Sequence, residues 1–205
     1  MTNIKENISC EYAEKMRMIS NSSLKFMLDT AAYNKFFNNP KYLDLAAISL
    51  EYGFSYYKTE PQTWELKGFG AKVYDKECKP VYYNRNATLP DFDLIDSKLN
   101  VKYVSCAVNL MQYHTLLDGS AHFISEQSKS GKMFEEILKF DPKTRRKRPF
   151  AQHYDALIAE STIYNDCILV TNDANLINLV NKHFNNRAIT IEILIDIIND
   201  FIKHK

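Results

Sequence analysis

The stretch from His153 to Phe184 constrains the fold most, because it sets helix, buried strand, acidic turn and helix in unbroken succession. Tyr154, Leu157, Ile158, Ser161 and Tyr164 recur at helical spacing and predict an amphipathic helix over 151–164. Asn165 and Asp166 end it. Cys167 to Val170 is then a short, wholly apolar run, the pattern of a strand covered on both faces. The run stops at Thr171-Asn172-Asp173, and Ala174 to His183 resumes as a helix. Asp173 thus lies just past the carboxyl end of a strand, where open α/β sheets place their ligands. Asp155 is expected in the first turn of the preceding helix, where the peptide dipoles favour an anion.

The same design appears near the start of the chain. Leu24 to Leu28 (LKFML) is a short apolar run with one Lys that ends at Asp29-Thr30. A helix over 31–37, interrupted at Asn38-Asn39-Pro40, leads to a second over 41–52. Leu43, Ala46, Ala47 and Leu50 share one face of that second helix, and Gly53 closes it. The aromatic run FSYYKT at 54–59 reads as a strand, and Glu60-Pro61 opens a helix that carries Trp64, Glu65 and Leu66. Further on, the pattern predicts a hairpin over 72–83 turning at 75–79, a loop over 84–97, and helices over 101–117 and 134–140. A strand over 188–193 and a helix over 194–202 finish the chain. Residues 1–23 are polar, with a helical piece near 12–19, and read as an N-terminal extension. Strand–helix alternation predicts an α/β protein, one domain over 1–205, whose mostly parallel sheet is covered on both faces.

Charge narrows function only weakly. With 26 basic and 25 acidic residues the net charge is +1, so a surface that binds nucleic acid must be local. The run Lys143, Arg145, Arg146, Lys147 and Arg148 is the one dense candidate: it suits phosphates, and equally a solvated loop. Cys10, Cys78, Cys106 and Cys167 have no zinc spacing and read as reduced thiols of a cytoplasmic protein. No apolar stretch suggests a secretion signal or a membrane span.

Four acids recur in comparable places. Asp29 and Asp173 follow strands, and Glu65 and Asp155 are expected in the first turns of helices. All such positions open onto one edge of a parallel sheet, where the carboxylates would repel one another unless a cation neutralises them. Oxygen donors with few accompanying His or Cys suit Mg²⁺ or Mn²⁺, as one ion or a pair about 4 Å apart, the arrangement used for phosphodiester hydrolysis. Each acid taken singly also serves as a helix cap. Tyr56, Tyr57, Tyr82 and Tyr83 could stack on unpaired bases or simply pack. His114, His122 and His153 lack ligand spacing. Glu51, Glu160 and Asp166 read as solvated charges at helix ends, with Glu160 a spare fifth acid.

FMLDT at 26–30, TWELKG at 63–68, DALIAE at 155–160 and ILVTND at 168–173 together resemble the PIN-domain nucleases, a family that includes VapC-type toxins and related ribonucleases. The resemblance covers 24–70 and 150–202, and an insertion is placed within 71–150. Ala31 stands where the family usually has a polar residue. The resemblance implies a three-layer αβα fold and an endoribonuclease that uses Mg²⁺ or Mn²⁺ to leave a 5′-phosphate and a 3′-hydroxyl. It makes Asp29, Glu65, Asp155 and Asp173 the catalytic, metal-binding acids and Thr30 and Thr171 their support. Thr171 is assigned a hydrogen bond to one of the carboxylates. RNA is the implied substrate, and an antitoxin and a homodimer are the implied partners. The rival readings are an RNA-processing or DNA nuclease that is not a toxin, and a non-cutting module that binds RNA or protein.

Overall fold

A computed structural model of the chain describes residues 24–66, 73–74, 80–81, 92–108, 121–123, 125, 127–139 and 151–203. In chain order these form β1 (Lys25–Leu28), α1 (Thr30–Asn38), α2 (Pro40–Ser49), a 3-10 turn (Leu50–Tyr52), β2 (Ser55–Lys58) and α3 (Glu60–Leu66). Then come β3 (Val73–Tyr74), β4 (Pro80–Val81), α4 (Phe92–Leu99), β5 (Lys102–Tyr103), β6 (Cys106–Val108), β7 (Ala121–Phe123) and α5 (Lys129–Lys139). The last elements are α6 (Ala151–Tyr164), β8 (Ile168–Val170), α7 (Ala174–His183), β9 (Ala188–Ile189) and α8 (Ile191–Lys203).

Five strands make one parallel sheet in the order β5-β2-β1-β8-β9. The chain builds outward from β1 through β2 to β5, then returns to the other side of β1 for β8 and β9. Strand order therefore reverses between β1 and β8, and this switch point is where the crossovers diverge and leave a crevice. Both faces of the sheet are covered, and the side chains of its central strands divide between two cores. Phe26 and Leu28 of β1, Tyr56 of β2 and Ile168 and Val170 of β8 face α1, α2, α4 and α8. Met27 and Leu169 face the other way, into a second core with α5, α6 and α7. The result is a three-layer α/β fold.

Phe26 is fully buried at the centre of the first core, stacked on Phe54 at 5.4 Å between ring centroids. Phe26→Ala is expected to lower unfolding free energy by about 3–5 kcal/mol, read as a shift of the urea midpoint at constant slope. A shift under about 1 kcal/mol would mean that Phe54 and Tyr56, the two rings beside it, collapse into the space.

Where the structure departs from the sequence reading, the reason is local. Residues 92–99 form a helix instead of a loop, with Phe92, Ile95 and Leu99 buried on one face. The start of 101–117 is β5 and β6 rather than helix, and 109–117 lies outside the described residues. The expected strand over 188–193 stops at Ile189, because Thr190 caps α8: its Oγ1 accepts from the Ile193 N–H at 3.3 Å. The apolar alternation of AITIEI coincides there with the helical set Ile191, Leu194, Ile195 and Ile198, all of them buried. α5 begins at Lys129, earlier than the expected 134. Helix α6 has the expected bounds but not the expected face. Tyr164 is exposed, whereas Ala156, Ile158, Ala159, Glu160, Ser161 and Thr162 are buried. Gly53 ends the 3-10 turn at φ 85°, a left-handed conformation that glycine adopts without a Cβ clash. The hairpin pairs Val73 with Val81 and Tyr74 with Pro80, as the sequence suggested, and its turn lies outside the described residues. No described helix is long and apolar enough to cross a membrane.

Candidate functional site at the carboxyl edge of the sheet

Asp29 is the first residue beyond β1, and its N–H donates to the Val170 carbonyl of β8 at 3.0 Å, closing the ladder at the switch point. Its carboxylate is buried, and each oxygen accepts a hydrogen bond. Oδ1 accepts the Thr30 N–H at 2.7 Å and so caps α1. Oδ2 accepts the Thr171 hydroxyl at 2.7 Å. Thr171 is fully buried, and its own N–H donates across to the Ile189 carbonyl of β9. The threonine thus belongs to one strand pair by its backbone and reaches the other by its side chain. Its Oγ1 also accepts the Asp173 N–H at 3.1 Å, which fixes the turn into α7.

Asp173 caps α7 through Oδ1 alone, accepting from Asn175 N–H at 2.8 Å and Leu176 N–H at 3.1 Å. Its Oδ2 takes no part in the cap, and the residue is exposed. Two of the four acids are therefore caps, and both stand at the switch point, one on each side of the sheet's central strand pair.

The other two stand on helices that start from this edge and run down the sheet. Helix α3 packs against both α1 and α6, so the helices that carry Glu65 and Asp155 are neighbours. Both acids lie deeper than the sequence suggested. Glu65 is the sixth of the seven residues of α3, and Glu60 holds the first turn in its place. Asp155 is the fifth of the 14 residues of α6, in its second turn, and is half-buried. The Glu65 side chain, like the run 143–148, lies outside the described residues. Among those described, no three His, Cys, Asp or Glu side chains form a group that could hold an ion.

Sequence reasoning missed two polar groups at this edge. Gln62 is fully buried; its Oε1 accepts the Thr59 hydroxyl at 2.9 Å and the Thr59 N–H, and its Nε2 donates to the Leu28 carbonyl. It joins the ends of β1 and β2. The spacing Thr59-x-x-Gln62 is a capping box and carried that signal in the sequence. The second group is centred on Lys58, the last residue of β2, whose side chain is 1% exposed. Its ammonium pairs with Asp96 of α4 and lies 4.8 Å from the Tyr103 ring centroid and 5.2 Å from that of Phe92. The Tyr33 hydroxyl donates to the same Asp96 carboxylate at 2.5 Å. Burial first, then the Asp96 charge, pushes the Tyr33 phenol well above its usual range, so it stays a donor.

Glu160 is buried rather than solvated, near Cys106. Burial pushes the Cys106 thiol up to about 12, against a Ser161 hydrogen bond, and the charges of Glu160 and Glu60 add to the rise. Cys167 is likewise pushed up to about 12, mainly by burial. Both are free thiols that stay protonated, and so unreactive, near neutral pH. Tyr56 is a core residue, hydrogen-bonded to Ser49 at 2.7 Å, and not a surface for bases. Tyr57 is half-buried, and Tyr82, Tyr83 and His114 lie outside the described residues, as do the side chains of His122 and His153.

Fold and edge together define a three-layer α/β protein with two acidic caps bridged across the switch point of its sheet. No model of a known protein family matches the chain, and no curated protein matches it.

Proposed function

We propose that this chain is a divalent-cation-dependent endoribonuclease of the PIN-domain type, working at the carboxyl edge of its sheet. The observation that carries this reading is the buried Thr171 hydroxyl on the Asp29 carboxylate, with Asp173 two residues further on. A carboxylate oriented by a dedicated hydroxyl is what a hard-cation site uses to fix its ligands. The donor type also fits: Asp29, Glu65, Asp155 and Asp173 offer only oxygen, and Asp173 keeps Oδ2 outside its cap. These four would hold Mg²⁺ or Mn²⁺. When bound, the cation supplies charge compensation and an acidified water for attack on phosphorus.

The chain's own residues position the rest. Thr171 and the Thr30 N–H fix the two oxygens of Asp29. The positive ends of α1 and α7 open on the same edge and offset part of the repulsion between carboxylates and an RNA backbone. The basic run 143–148, just ahead of α6 in sequence, supplies further phosphate contacts in this reading. As a toxin the protein would act in the cytoplasm, with a small antitoxin over the acidic edge and a second copy as the partner that the resemblance implies.

The test is cleavage of a mixed panel of single-stranded RNA and DNA with Mg²⁺ or Mn²⁺, comparing the natural protein with Asp155→Asn. RNA cut by the natural protein, stopped by EDTA and slowed at least about 100-fold by the substitution is the expected result. Full activity in Asp155→Asn would sink the assignment of that residue. Absence of cleavage with either metal, and of metal binding by calorimetry, would leave a binding module in place of an enzyme.

A further inference from the structure

We propose that Tyr103 is a stacking platform for an unpaired base of the RNA strand at the carboxyl edge, an inference that rests on the nuclease reading above. Tyr103 ends β5 and is 60% exposed, an unusual state for an aromatic ring at the end of a sheet strand. Its ring is nevertheless held. The hydroxyl is hydrogen-bonded to Thr63 of α3 at 3.1 Å. The buried Lys58 ammonium sits 4.8 Å from the ring centroid. Lys58 is itself fixed by Asp96, so the contact under the ring cannot drift. The face turned away from Lys58 is then the one offered to a base.

Such a ring has the properties that stacking needs. Its rotamer is set before any ligand arrives, so little ordering entropy is lost on binding. It presents a π-face that accepts any base, and duplex RNA, whose bases already stack on one another, has no free face to offer it. It lies two strand spacings from β1, about 10 Å along the edge from the Asp29 position. A strand whose phosphate sits at the acids can thus lay a nearby nucleotide on Tyr103. Among the described residues the other exposed large apolar side chains sit on helices: Tyr164 closes α6 at the opposite edge, and Phe37, Ile48 and Leu94 lie along α1, α2 and α4.

The experiment measures steady-state cleavage of a single-stranded RNA by the full chain, for the natural protein, Tyr103→Ala and Tyr103→Phe. Tyr103→Ala is expected to raise KM roughly 5- to 100-fold with kcat changed less than about threefold, and Tyr103→Phe to restore most of the loss because it keeps the ring. An abasic scan of the RNA supplies a second readout. Removal of one base should raise the natural protein's KM by the same factor and leave Tyr103→Ala unaffected. If the natural protein cuts RNA and Tyr103→Ala matches it in KM, this inference fails and the nuclease reading stands. Additive losses from the abasic position and the substitution, or no rescue by Tyr103→Phe, also overturn it. If the natural protein neither cuts nor binds single-stranded RNA, both readings fall together.

Discussion

Asp29→Asn is expected to slow RNA cleavage at least about 100-fold while lowering unfolding free energy by no more than about 1–2 kcal/mol. The asymmetry between those two effects is the point of the experiment. As a cap, Asp29 needs only one acceptor toward the Thr30 N–H, and asparagine caps as well as aspartate does. As a cation ligand it needs its charge, which asparagine lacks. A protein in which Asp29 serves only as a cap would show unchanged cleavage. Thr171→Val supplies the graded companion, because it removes the hydroxyl on Oδ2 and keeps the shape of the side chain. Loss of that single orienting bond is expected to lower activity about 10- to 100-fold. The readouts are initial rates on a fixed RNA at saturating Mn²⁺ and urea melts of the same preparations. Equal activity in both variants would leave the Asp29–Thr171 bond as a purely structural tie.

Most of the parallel sheet was legible in the sequence because its strands are buried on both faces. A short apolar run stopped by an acid has few structural solutions; β8 carries that pattern throughout, and β1 carries it after Lys25. The positions of Asp29 and Asp173 followed from it. The depths of Glu65 and Asp155 did not, although both helices start where the sequence put them, at Glu60 and Ala151: the sixth and fifth residues of a helix already lie in its second turn at about 3.6 residues per turn. The capping box of Thr59 and Gln62 fixes the start of α3 at Glu60, and in a helix of seven residues Glu65 then falls near the far end. Short edge elements were hardest to read. β5, β6 and β9 have two or three residues each, too few for a period-2 signal to separate from a helical one.

Lys58 illustrates a different failure. Tyr56 and Lys58 alternate on the same inward face of β2, which puts a charge where only an apolar residue or a paired one can stand. That alternation called for a buried anion. Its source, Asp96, lay in a stretch that Pro90 and a run of acids made look like loop. A buried cation within a strand is thus a signal for a missing acidic partner, and here the partner ties α4 to the end of β2.

Asp96→Ala is accordingly expected to lower unfolding free energy by about 3–5 kcal/mol, the cost of leaving a buried ion without its partner. The substitution strands the Lys58 ammonium, whose side chain is 1% exposed, among the rings of Phe92 and Tyr103. It also takes the acceptor from the Tyr33 hydroxyl, a fully buried group that burial holds protonated. Lys58→Met is expected to cost less, about 1–2 kcal/mol, because Asp96 keeps the Tyr33 donor and is 19% exposed to water. The double variant Lys58→Met/Asp96→Leu then separates the ion pair from its surroundings. With both charges removed and the volume filled, it should be more stable than Asp96→Ala alone by at least about 1 kcal/mol. Urea midpoints of the three variants decide the matter. A loss under about 1 kcal/mol in Asp96→Ala would mean that water reaches Lys58 once α4 shifts, and that apolar contacts of Phe92, Ile95 and Leu99 alone hold α4 in place.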